Sequence, residues 1–226
     1  MPSVLVTGAN RGLGLALARS FAADGWRLHA CGRNLDKAKK IKAVGGDVNV
    51  HRLDVTDPLQ VANLARSLRD EPIDLLINNA GLLEASSSFG EVDYDEWLEV
   101  IQVNSMAPLR LAERFVDHVD RSDLKIIVNI SSIMGSIGQN ESGGSYVYRS
   151  SKAALNSVTR SMALDLAPKG ITVIAVHPGW VRTDMGGEEG HLSPEESAAD
   201  LRRLIGGLTP EDSGSFFNHD GSSIDW

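Results

Sequence analysis

The sequence predicts an α/β fold: a doubly wound parallel sheet of about seven strands with helices on both faces. Three observations carry this reading. Short β-branched apolar runs alternate with longer stretches whose apolar residues recur at helical spacing. A glycine-rich turn joins the first run to the first helical stretch, and chemically unusual residues gather where the runs end.

The expected strands are Val4 to Val6, Arg27 to Cys31, Val48 to Leu53, Ile73 to Ile77, Lys125 to Ile130 and Thr172 to Val176, with a last one near Ser215 to Asn218. Their continuous apolar character suits strands covered on both faces. Helices are expected over Gly14 to Ala23, Leu35 to Val44, Leu59 to Leu68, Glu96 to Val119 and Ala153 to Leu166. Right-handed crossovers would lay the strands in one sheet, where ligands bind beyond the carboxyl ends. Gly8, Arg33, Asp54, Asn78, Ser132 and Pro178 all fall at or just past those ends, so they should meet on one rim. The alternation breaks over 186–212, a stretch rich in Gly, Glu, Ser and Pro that is expected to form a mobile lid with a short helix. With no fixed-period repeat and no long linker, 1–226 reads as one domain.

Composition narrows the function classes. A net charge of -8 disfavours broad contact with nucleic acid or an anionic membrane. One cysteine, Cys31, allows no intrachain disulfide, and the six histidines show no ligand spacing, so no metal is expected. No basic leader precedes the first apolar run and no stretch approaches a membrane span, from which a cytoplasmic location is expected.

The turn Thr7-Gly8-Ala9-Asn10-Arg11-Gly12-Leu13-Gly14 lies where a dinucleotide pyrophosphate would sit, its glycines letting backbone approach phosphate at a helix N-terminus. It lacks the Lys-Ser/Thr ending of a nucleoside-triphosphate loop. After the second strand, Cys31-Gly32-Arg33-Asn34 offers no carboxylate for ribose hydroxyls. Arg33 and Arg11 could instead clamp a 2′-phosphate, so NADP(H) is expected over NAD(H). Asp54 could accept from the adenine amino group, leaving Asp57 to cap the next helix.

Tyr148 and Lys152 stand four apart, on one face of a helix. An ammonium beside a phenol lowers the phenol's pKa toward neutrality. Ser132 ends the fifth strand and Asn104 lies in the long helix before it. With Asn78-Asn79-Ala80-Gly81 and Pro178-Gly179 in this order, the chain resembles the short-chain dehydrogenase/reductase family, a Rossmann-like fold, over nearly its whole length. Gly144 to Asn156, His177 to Gly187 and Asp220 to Trp226 are closest to its sniffer-like carbonyl reductase and C-factor group.

The resemblance implies that Tyr148 is the general acid/base, that Ser132 steadies the substrate oxygen, and that Lys152 tunes Tyr148 and binds the nicotinamide ribose. It further implies that Asn104 holds a water leading from Lys152 to solvent, that Asn78 and Gly81 shape the cofactor floor, and that Thr183 meets the nicotinamide amide. Gly8, Asn10, Arg11, Gly12, Leu13, Gly14, Arg33, Asp54, Val55, Ala80, Pro178, Gly179 and Val181 would complete the cofactor groove. The expected reaction is reduction of an aldehyde or ketone to an alcohol; the alternative is a C-factor-like signalling or regulatory protein with incidental turnover.

Two departures stand out. Tyr148 follows Ser132 by sixteen positions, more than is usual in the family, so 133–147 must bulge outward. The lid is also short. Tyr146 is a rival proton donor without a lysine four residues on, and Ser131 an alternative to Ser132. A hydrolase elbow fails at Val147 of Gly143-Gly144-Ser145-Tyr146-Val147. Met134 and Trp180 are candidates for the substrate wall. Trp97, Leu98, Ile101, Leu109 and Leu111 could supply an apolar face for a homodimer or homotetramer.

Overall fold

The computed structural model describes residues 1–34, 41, 43, 45–83 and 88–226. Seven parallel strands form one sheet in the order β3-β2-β1-β4-β5-β6-β7: β1 (Ser3–Thr7), β2 (Arg27–Gly32), β3 (Val48–Arg52), β4 (Leu75–Asn78), β5 (Ile126–Ile130), β6 (Thr172–His177) and β7 (Phe216–Asn218). The helices are α1 (Gly12–Ala23), α2 (Pro58–Ser67), α3 (Tyr94–Ile101), α4 (Ala107–Asp120), α5 (Tyr146–Leu166) and α6 (Pro194–Gly206). The helix expected over Leu35 to Val44 lies outside the described residues, apart from positions 41 and 43.

Strand alternation builds two apolar layers. Val4 and Val6 of β1 pack with α1 and with Ala198, Leu201 and Ile205 of α6. Leu5, between them, faces the opposite side with Val61 and Leu64 of α2, Phe115 of α4 and Met162 of α5. One period-two strand thus serves both layers, as a doubly wound sheet requires. Buried Asp74 ties the amino edge together, its carboxylate accepting from the Ser3 backbone N–H at 2.8 Å and from the N–H of Asp123 at 3.2 Å.

Three expectations need correction. The helix from Glu96 to Val119 is not continuous: Gln102–Met106 forms a π-helical turn between α3 and α4. Such a bulge shifts the register of the side chains beyond it and often marks a functional position, and it holds Asn104. Leu111 is buried against the sheet, so of the proposed apolar face Leu98 and Leu109 are exposed, joined by Met106. The stretch expected to be a lid contains the 13-residue α6, begun by Pro194 and a Ser193–Glu196 capping box, with its apolar face in the core. Only the loop before it is left to overhang the rim. No described helix is long and apolar enough to cross a membrane.

Candidate active site

A cleft of about 750 Å³ runs along the carboxyl ends of β1 to β6. At one end, Gly8 and Gly12 turn the chain through left-handed φ angles of 67° and 51°. A Cβ on Gly14 would lie 2.4 Å from the Gly8 carbonyl oxygen, so α1 comes as close to the turn as only glycine permits. Asp57, Asp93 and Ser193 cap α2, α3 and α6, but α1 has no side-chain cap. Gly12, Leu13 and Gly14 of its first turn line the cleft, leaving those N–H groups for an anion.

Beside the turn, the Thr7 hydroxyl accepts from the N–H groups of Asn79 and Ala80 at 2.9 and 3.0 Å, and Asn79 donates back to the Thr7 carbonyl at 2.8 Å. These bonds weld the ends of β1 and β4 into the cleft floor. Arg33, Asp54 and Val55 border the same end. The Asp54 carboxylate accepts from the Thr56 hydroxyl at 2.7 Å. Arg11 reaches across to Asp184 at 2.8 Å, an exposed ion pair joining the glycine turn to the overhanging loop.

At the other end, Ser132 and Tyr148 are both buried and line the cleft, and the Ser132 hydroxyl accepts from the Met134 N–H at 3.2 Å. Lys152, also buried, holds its ammonium 5.7 Å from the Tyr148 ring centroid and donates to the Ile130 carbonyl at 2.8 Å. Asn104 donates to the Leu82 carbonyl and the Ser151 hydroxyl at 2.8 and 3.0 Å and accepts from the Leu82 N–H at 2.8 Å. Gly81 lies beside it, so near that a Cβ would stand 3.3 Å from Asn104 Oδ1 and 3.8 Å from Lys152 Nζ.

Burial decides the protonation states here. Loss of solvent pushes Tyr148 up to about 12, against a smaller opposing effect of the neighbouring Ser132 hydroxyl. The same loss brings Lys152 down to about 8. The expectation that the ammonium drives the phenol toward neutrality is therefore corrected. Lys152 is itself desolvated and its proton is directed at a carbonyl, so desolvation of the phenolate outweighs attraction.

Of the residues given a catalytic or cofactor role from sequence, all but two line the cleft: Gly8, Asn10, Arg11, Gly12, Leu13, Gly14, Arg33, Asp54, Val55, Ala80, Gly81, Ser132, Tyr148, Lys152, Pro178, Gly179, Val181 and Thr183. Asn104 stands behind them. Asn78 does too: it donates to Asn129 Oδ1 at 2.8 Å inside the sheet, and its neighbour Asn79 takes the place on the floor. Strand alternation beyond β4 was the signal that could have separated the two.

Ser131 also lines the cleft, but its hydroxyl is engaged, donating to Asn156 Oδ1 at 2.6 Å. Tyr146 opens α5 at the surface, where it meets the Phe89 ring at 6.5 Å, while Tyr148 is buried in the cleft. The insert bulges as expected, with 137–143 exposed and Ser145 in the left-handed region. Met134 and Trp180 both line the cleft, joined by Ile133, Leu83 and Met185.

The sequence pattern of the family described as short chain dehydrogenase matches residues 2–192. The chain belongs to the short-chain dehydrogenase/reductase family, and so to a family of oxidoreductases. It is 41% identical over 155 residues to the C-signal protein of Myxococcus xanthus, an alignment spanning 69% of this chain and 93% of that one. Carbonyl reductase Sniffer of D. melanogaster superposes with a TM-score of 0.94 at 32% identity, covering both chains fully. An NADPH-bound carbonyl reductase from chicken fatty liver gives 0.93 at 33% identity, covering 100% of this chain and 99% of that one.

Proposed function

We propose that this protein reduces an aldehyde or ketone to an alcohol with NADP(H). One observation carries the reading: Ser132, Tyr148 and Lys152, all buried, meet at the far end of a cleft that begins at an uncapped glycine turn. The NADPH bound by the chicken carbonyl reductase supports the choice of cofactor.

The residues present fit such a cofactor. The turn from Gly8 to Gly14 would hold the pyrophosphate, Arg11 and Arg33 the 2′-phosphate, Asp54 the adenine, Lys152 the ribose hydroxyls and Thr183 the amide. Bound NADPH supplies the hydride. Ser132 donates a hydrogen bond to the substrate oxygen, and Tyr148 gives that oxygen its proton as negative charge develops. A phenol held near 12 is fully protonated at neutral pH, the state a proton donor for reduction requires. Asn104 keeps the Leu82 backbone and Ser151 in place beside Lys152, where a water could carry the replacement proton.

Leucines 98 and 109 with Met106 offer a face for self-association into a dimer or tetramer. The likeness to C-signal favours a second reading, a signalling protein with incidental turnover. Loss of NADPH absorbance across a panel of carbonyl compounds separates the two. Saturable turnover of at least one compound is expected; NADPH binding with no turnover of any would favour the second reading.

A further inference from the structure

The Pro178–Gly179 turn borders the cleft, and it is braced from behind by groups that do not themselves line the cleft. Ser197 of α6 is fully buried and its hydroxyl donates to the Pro178 carbonyl at 2.6 Å. Asp200, three residues further along the same helix face, accepts from His219 Nδ1 at 2.7 Å. Its other oxygen accepts from Arg203 at 2.6 Å.

The His219 ring is thereby fixed against Gly179, where a Cβ would lie 2.9 Å from its Cδ2. Leu192 closes the other side, 2.6 Å from that same point. Gly179 has a φ of 80°, so the turn adopts a conformation that glycine alone holds without strain and leaves no space between itself and the imidazole.

We propose that Ser197 and the Asp200–His219 pair are positioning residues: they set the height of the Pro178–Gly179 turn and so control how tightly the cleft holds its nicotinamide nucleotide. This rests on the cofactor reading given above. The contacts come from two separate segments, α6 and the stretch after β7. Both lie beyond residue 192, where the match to the family pattern ends, so the affinity of the common core would be set by elements outside it.

The test is an NADPH titration by fluorescence, alongside steady-state kinetics and thermal unfolding of the ligand-free protein. His219→Ala should raise both the Kd and the KM for NADPH about tenfold, the loss of one charge-assisted bond and its packing. At saturating NADPH, kcat should stay within about threefold. His219→Asn, whose amide nitrogen stands where the ring Nδ1 stood and can still donate to Asp200, should recover most of the affinity. Should His219→Ala fail to fold, Asp200→Asn provides the same comparison and is expected to weaken binding several-fold.

Wild-type affinity in a folded His219→Ala or Asp200→Asn protein would overturn the proposal while leaving the cofactor reading intact. So would equal losses in the Ala and Asn variants that merely follow their melting temperatures. Failure of the wild-type protein to bind NADPH would overturn both.

Discussion

The two ends of the cleft are built on opposite principles. The glycine turn end is made of backbone, and its ion pair is exposed: Arg11 and Asp184 meet in solvent at 55% and 75% exposure. The chemical end is made of side chains, each below a tenth exposed, and three of them are already held by neighbouring groups: Ser132 by the Met134 N–H, Lys152 by the Ile130 carbonyl, Asn104 by Leu82 and Ser151. Charge recognition in water is adjustable and screened by salt, whereas a buried hydrogen-bonded constellation is preorganised and intolerant of change. The difference implies that substitutions at the first end shift affinity by degrees, and at the second remove chemistry.

The sharpest contrast should come from Lys152→Met. Turnover is expected to fall by about 10²- to 10³-fold, yet thermal stability should hold or rise at neutral pH. Lys152 titrates at about 8 in the fold against an ordinary 10.5, so the unfolded chain binds the proton more readily. Burying the charge therefore costs about 3 kcal/mol below pH 8, a cost that fades as pH climbs toward 10.5. The wild-type protein should gain stability across that window and the variant should not. A variant less stable than wild type at pH 7 would mean that the bond to Ile130 outweighs desolvation.

At the other end, Arg33→Ala should weaken NADPH by about ten- to thirtyfold and leave NADH within about twofold, a difference that shrinks in high salt. Equal losses for both nucleotides would show that Arg33 does not read the 2′-phosphate. The smallest effect is expected from Asp184→Asn. Its partner Arg11 would be released from an exposed ion pair, tightening NADPH by about two- to threefold in low salt. Weaker binding would instead make Asp184 part of the site.

These two ends were not equally legible in the sequence. Glycines and strand-end residues betray a backbone-built site because few residue types satisfy φ angles such as those of Gly8 and Gly12. Tyr148, Lys152 and Ser132 were legible only together, since four-residue spacing on a helix says nothing of what the helix faces. Three things stayed hidden. Whether Asn78 or Asn79 lines the floor depends on where alternation stops beyond β4. The π-turn at Gln102–Met106 leaves no compositional mark. The apolar face of α6 is short and mixed with charge, so a helix anchored through Ala198, Leu201 and Ile205 looked like part of a lid. The sign of the Tyr148 shift was misjudged for a related reason: proximity can be read from spacing, but burial belongs to the assembled fold.

The central claim is that Tyr148 delivers the proton while other residues of the cleft carry the binding of the cofactor. Stopped-flow mixing of the NADPH complex with a carbonyl substrate, following absorbance of the reduced nicotinamide, tests it most directly in wild type and Tyr148→Phe. The variant should transfer hydride about a thousandfold more slowly while its NADPH affinity stays within about threefold. Hydride transfer at a rate near that of wild type would contradict the claim.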